Sequence, residues 1–142
     1  MKIEITDGDA HLTIEFTGFP YTDADYWNRN WVSALIMARL PGFWVAFRDE
    51  IHLSDLEPFH RDLQTLYTEL KGTARLHVMN GCLDLSGEID HLGHLHWNAE
   101  IAHPVGAGNE ARLTFAMHAD QSYLPSLLAQ IKTVMEAFPI KG

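Results

Sequence analysis

The chain has 142 residues, 46% of them hydrophobic, including seven Phe, four Trp and four Tyr; that suits one ordinary domain with a substantial core and excludes a disordered segment. Ten Lys and Arg against nineteen Asp and Glu leave a formal charge of −9, which disfavours nucleic acid, whose phosphates need clustered cations, and favours a basic partner. The longest apolar runs, such as residues 34–38, fall far short of the roughly 20 needed to span a bilayer, and the lone Cys82 excludes an internal disulfide.

In chain order, residues 1–10 are acidic and turn-rich, without the cationic and apolar regions of a secretory signal, so a cytoplasmic location is expected. Alternation predicts strands over residues 2–6 and 11–17, joined by an Asp7-Gly8-Asp9 turn. Residues 17–30 read as an irregular loop that carries Tyr21, Asp23, Asp25, Tyr26 and Trp27. Tyr and Trp are frequent interface anchors, and acids beside them suit a basic partner, so Asp23, Asp25 and Trp27 are candidate partner-binding residues; the same rings could instead fold back over the core. Residues 31–40 are apolar on both faces, as a central strand requires, and Pro41-Gly42 turns the chain into a strand over 43–53.

A helix is predicted from Ser54 to about Lys71. Ser54 and Glu57 have capping-box spacing, Pro58 falls near the first turn, and Leu56, Phe59, Leu63, Leu66, Tyr67 and Leu70 make one apolar stripe ending at Gly72. Four alternating segments follow, over 73–79, 82–89, 94–102 and 112–118, with Asn80-Gly81 as a hairpin signal. A last helix over roughly 122–138 starts from Asp120 or Ser122, carries Leu124, Leu127, Leu128, Ile131, Met135 and Phe138, and stops at Pro139. The expected fold is therefore α+β, one domain spanning residues 1–142. It is a meander of about eight antiparallel strands with two amphipathic helices packed on one face, leaving a polar sheet face open. On that face Asp84, Glu88 and Glu100 are the acids placed to meet a partner.

Nine histidines raise a metal alternative: His94 and His96 share one side of a strand, and Glu100 could complete a two-His-one-carboxylate set. Against it, an open sheet face lacks the concavity and supporting partners of a dedicated site, so no metal or cofactor is assigned. Catalytic signatures are missing too. There is no Gly-rich phosphate loop, no Gly-x-Ser-x-Gly and no His-Glu-x-x-His. Asp84 and Glu88 would stand about 13 Å apart along a strand, wide for an acid–base pair. Cys82, beside a strand start, reads as an inert structural thiol. Binding is favoured over catalysis. A metal-dependent enzyme at His94/His96, or a structural subunit of a larger assembly, are the other readings.

Several strings occur together: Trp31 opening a strand; residues 53–59 leading into 63–67; Leu70-Lys71-Gly72-Thr73-Ala74; Gly93-His94-Leu95; and Asp120-Gln121-Ser122-Tyr123-Leu124-Pro125. Their order and spacing over residues 30–138 resemble the WapI-like family of bacterial immunity proteins. The resemblance implies a protein that neutralises a cognate toxin by direct binding. The family's toxins often carry nuclease domains, whose basic groove a −9 domain could occlude. It offers no catalytic residues to carry over. Asp120, Gln121 and Tyr123 are expected to cap and seat the last helix rather than touch a partner.

Overall fold

The structure, a computed structural model, describes residues 1–22 and 25–142. Eight strands form two four-stranded antiparallel sheets, each a simple meander. The N-terminal sheet contains β1 (Lys2–Asp7), β2 (Ala10–Gly18), β3 (Trp31–Leu40) and β4 (Phe43–His52). A short helix α1 (Tyr26–Arg29) interrupts the loop before β3. The C-terminal sheet contains β5 (Thr73–His77), β6 (Leu83–Ile89), β7 (His94–His103) and β8 (Ala111–Asp120). Two longer helices, α2 (Leu56–Glu69) and α3 (Leu124–Ala137), precede and follow that sheet. The α+β class, the strand number and the two amphipathic helices agree with the sequence pattern. The division into two sheets is the new element.

Period-two alternation decides what each strand buries. β3 turns Val32, Ala34, Ile36 and Ala38 inward, while β7 does so with Leu95, Trp97, Ala99 and Ile101; all are buried. These residues, with Leu56, Phe59, Leu63 and Leu66 of α2 and Leu124, Leu127, Ile131 and Val134 of α3, belong to one continuous core. α2 packs on β5 and α3, and α3 packs on β1. α3 also shields the edge of β1: the Glu4 N–H donates to Gln130 Oε1 at 2.8 Å, and the Tyr123 hydroxyl donates to the Glu4 carbonyl. Both outward backbone groups of Glu4 are thereby occupied, which blunts an edge that would otherwise invite another strand. The sheets also meet directly, through Asp7 Oδ2 accepting from the His118 N–H at 2.8 Å and through the Phe47 ring stacked on His103 at 4.5 Å.

Helix starts differ from expectation in one respect. The Ser54/Glu57 capping box does not form. A single 3₁₀ turn, Leu53–Asp55, enters α2, and His52 Nδ1 lies 2.8 Å from Ser54 Oγ and accepts from the Ser54 N–H. Asp55 instead accepts from the Met79 N–H, tying the helix start to the end of β5. At α3 the arrangement is similar: Asp120 caps a preceding 3₁₀ turn, Gln121–Tyr123, rather than the helix itself, its Oδ1 accepting from the Ser122 N–H at 2.9 Å, and this bond holds the carboxyl below its ordinary range.

Candidate functional site

Two surfaces gather the residues singled out by the sequence. The first is the outer face of the C-terminal sheet, which neither helix covers. Its residues follow from alternation: Arg75 and His77 on β5, Asp84, Ser86 and Glu88 on β6, His96, Asn98 and Glu100 on β7, Thr114 and His118 on β8. Register sets Asp84 opposite Glu100 and Glu88 opposite His96. Asp84 and Glu100 border a shallow depression of about 470 Å³. Cross-strand neighbours change what these acids can do. Arg75 grips Asp84 through Nε at 2.9 Å and Nη2 at 2.6 Å. Those bonds hold the Asp84 carboxyl below its usual range and raise the Arg75 guanidinium. Arg112 likewise pairs with Glu100 and with Glu110. Two of the three candidate acids are thus already matched by arginine. Glu88 is exposed and forms no hydrogen bond or ion pair among the described residues.

The metal arrangement expected from His94, His96 and Glu100 is not brought together, because Glu100 faces Arg112 while the histidines gather around Asp90. His96 Nε2 lies 2.7 Å from Asp90 Oδ2, and His94 Nδ1 lies 3.6 Å from the same oxygen. The bond from His96, then that from the His94 N–H, hold Asp90 well below the usual carboxylate range. On its other side His96 meets His118, Nδ1 to Nδ1, at 2.9 Å. Among the described residues no three His, Cys, Asp or Glu side chains already converge as metal ligands. Cys82 is buried, and burial first, then Asp49, pushes its thiol up to about 12, as suits a structural cysteine.

The second surface is the lobe before β3. Asp25 opens α1 by accepting from the Asn28 N–H at 2.9 Å. Tyr21, Tyr26 and Trp27 are all more than two-fifths exposed, so they do not fold back over the core. The Tyr21 hydroxyl donates to Glu50 at 2.9 Å, and this bond raises its pKa. Two buried polar residues hold the lobe in place. His52 Nε2 contacts the Trp27 carbonyl at 2.8 Å, with its ring 4.4 Å from the Trp27 ring. Asn30 donates to the carbonyls of Tyr26 and Lys141 and accepts from the Lys141 N–H. Asp23 lies outside the described residues.

Sequence reasoning missed Glu50, His52, Asn30, Asp90 and His118. Alternation sets His118, with Arg112 and Thr114, on the polar side of its segment. Its pairing with His96 needed strand register. Asn30 and His52 each bond a near neighbour, Tyr26 and Ser54, but their other partners lie 111 and 25 residues away.

Fold and surfaces together define an α+β protein in which the outer face of the C-terminal sheet and the aromatic lobe are exposed. The chain matches the model of the Immunity protein WapI-like family over residues 2–139, and it belongs to that family. The match extends the resemblance seen over residues 30–138 to nearly the whole chain, including the lobe. Neither a curated protein nor a solved structure matches it. No helix among the described residues is long and apolar enough to cross a membrane.

Proposed function

We propose that this immunity protein neutralises a cognate toxin domain by direct protein–protein contact, without catalysis, and that the toxin surface it covers is basic, as in a nuclease groove. The observation that carries the reading is the lobe. Tyr21, Tyr26 and Trp27 stand exposed beside Asp25 and Glu50, on a chain with a formal charge of −9. Exposed aromatics supply anchor area at low entropic cost, and adjacent acids steer a cationic partner. Asp23 belongs to the same stretch of sequence and is assigned the same role. Asp84, Glu88 and Glu100 on the outer face of the C-terminal sheet are assigned a second contact, in which Asp84 and Glu100 are matched by arginine and Glu88, among the described residues, is not.

The test uses a cognate toxin domain, with co-expression protection and binding kinetics as readouts. Trp27→Ala is expected to weaken binding by about 2 kcal/mol, roughly 30-fold, as loss of a central aromatic anchor does. Asp25→Ser keeps a helix cap while removing charge, so with Glu50→Gln it should slow association and flatten its salt dependence. Glu88→Lys tests the sheet face in the same way. Unchanged binding in all of these variants would remove both surfaces from the interface. Full protection without complex formation would remove direct contact altogether.

A further inference from the structure

The histidine cluster on the C-terminal sheet lies on the same outer face as Glu88 but has geometry of its own. His96 on β7 and His118 on β8 are register partners with outward side chains. Their Nδ1 atoms stand 2.9 Å apart, with the ring planes at 82°. A first-row metal holds imidazole nitrogen at about 2.0–2.1 Å, so ligands at a right angle place their nitrogens about 2.8–3.0 Å apart, whereas tetrahedral ligands place them at about 3.3–3.4 Å. The observed separation fits adjacent positions of a square-planar or tetragonal ion, the preference of Cu(II) and Ni(II) with nitrogen and oxygen donors.

The surroundings point the same way. Asp90 accepts from His96 Nε2, which leaves the lone pair of His96 on Nδ1, facing His118. A carboxylate on the far nitrogen is the usual support of a ligating histidine. The pair opens into a depression of about 430 Å³ bordered by His94, His96, His118, Ala119 and Asp120, with no Lys or Arg on its border. Asp7, through its bond to the His118 N–H, brings another carboxylate to the same strand. A divalent cation there would meet three imidazoles, the Asp120 carboxylate and the Ala119 methyl. We propose that His96 and His118 form a binding site for a divalent transition metal, Cu(II) ahead of Ni(II) and Zn(II), with Asp90 as the positioning residue. Two protein nitrogens anchor the ion and water fills the remaining positions. The competing account is a plain hydrogen bond, His118 Nδ1–H to His96 Nδ1, with no affinity for metal.

The experiment titrates CuCl₂, NiCl₂ and ZnCl₂ into the chelator-stripped, tag-free full chain by calorimetry, with electron paramagnetic resonance on the Cu(II) sample. The expected result is one Cu(II) per chain, with Kd below about 10 μM (ΔG near −7 kcal/mol), and weaker binding of Ni(II) and Zn(II). The spectrum should be axial, with nitrogen hyperfine structure from two imidazoles. His96→Ala and His118→Ala should each weaken Cu(II) binding at least 30-fold, and His60→Ala on α2 should leave it unchanged. Asp90→Asn keeps the turn's acceptor oxygen but turns an amide toward His96 Nε2; a loss of about 10- to 100-fold is expected. Wild-type Cu(II) affinity no tighter than that of the His96/His118 double variant would overturn the site. So would a wild-type spectrum lacking imidazole nitrogens, a readout that needs no variant to fold. Because no toxin is present, either failure leaves the docking reading untouched.

Discussion

Gly87 offers a direct test of how the C-terminal sheet packs. It lies on β6, is buried, and faces Trp97 on β7 in register. A Cβ built on Gly87 would stand 2.6, 2.8 and 2.9 Å from Cζ3, Cε3 and Cη2 of the Trp97 ring. Carbon atoms sit comfortably at about 3.5–4.0 Å, so Gly87→Ala creates close to 1 Å of overlap with a rigid ring. The ring has little room to retreat, since it is fully buried and lies edge-on to Phe59 of α2 at 6.4 Å. Overpacking of this kind costs about 1–3 kcal/mol. Replacing glycine by alanine within a strand returns about 0.5–1 kcal/mol of unfolded-state entropy, and the Gly87 backbone is not left-handed, so no dihedral strain is added. A net loss of about 1–2 kcal/mol is expected, read as a lower urea midpoint at unchanged slope. Trp97→Phe shrinks the obstructing ring and deletes an indole N–H that has no hydrogen-bond partner. In that background Gly87→Ala should become neutral or stabilising, giving a coupling of at least about 1 kcal/mol in a double-mutant cycle. Equal costs in both backgrounds would refute the steric account.

Two further outcomes follow from buried and charged contacts. Asn30→Ala removes three side-chain hydrogen bonds of 2.7–2.9 Å from a fully buried site; a loss of about 2 kcal/mol is expected, together with faster hydrogen exchange at the Lys141 amide, and unchanged protection there would show that Asn30 does not hold the C-terminal tail. Asp84, Asp90, Glu110 and Asp120 all have carboxyls held below their ordinary range in the fold, so their stabilisation is present above the unfolded value of about 3.9–4.3 and lost as pH falls through the lower folded values. Chemical-denaturation stability should therefore be nearly flat from pH 7 to 5 and decline below about pH 4, less steeply in Asp84→Asn; a decline that begins near pH 6 would place the acid sensitivity on histidine instead.

What the sequence disclosed and what it concealed divide along contact range. Eight strands and two helices were legible because alternation and the three-and-four stripe are local. Residues 31–40 read as a central strand, and β3 does pair on both sides. The split into two sheets was not legible. Every hairpin signal, from Asp7-Gly8-Asp9 to Asn80-Gly81, joins neighbours, and nothing local says that β4 and β5, separated by α2, do not pair. The capping box failed for a similar reason. Ser54 and Glu57 have the right spacing, but buried His52, two residues earlier, engages Ser54 and bends the chain through a 3₁₀ turn first. α1 escaped notice because four residues give no periodicity. It is held by Asp25 at one end and by Asn30, bonded to the C-terminal tail, at the other.

The same distinction governs the charge. A formal −9 distributes nine excess acids along the chain without saying which of them a partner would feel. Register supplies that information. Arg75 lies nine residues before Asp84 and Arg112 twelve after Glu100, yet pairing of β5 with β6 and of β7 with β8 places each arginine on its acid. Those acids present a nearly neutral, hydrogen-bonded surface. Among the described residues no Lys or Arg forms an ion pair with Glu88, as Lys2, Arg61, Arg75, Arg112 and Lys132 pair with other acids. A cationic partner approaching this sheet face from solution therefore meets its uncompensated charge at the Glu88 corner. Charge reversal at Asp84 would expose Arg75 as well as remove an acid, so its effect on association should exceed that of Glu88→Lys if the sheet face is used, and should equal the cost of a surface substitution if only the lobe is.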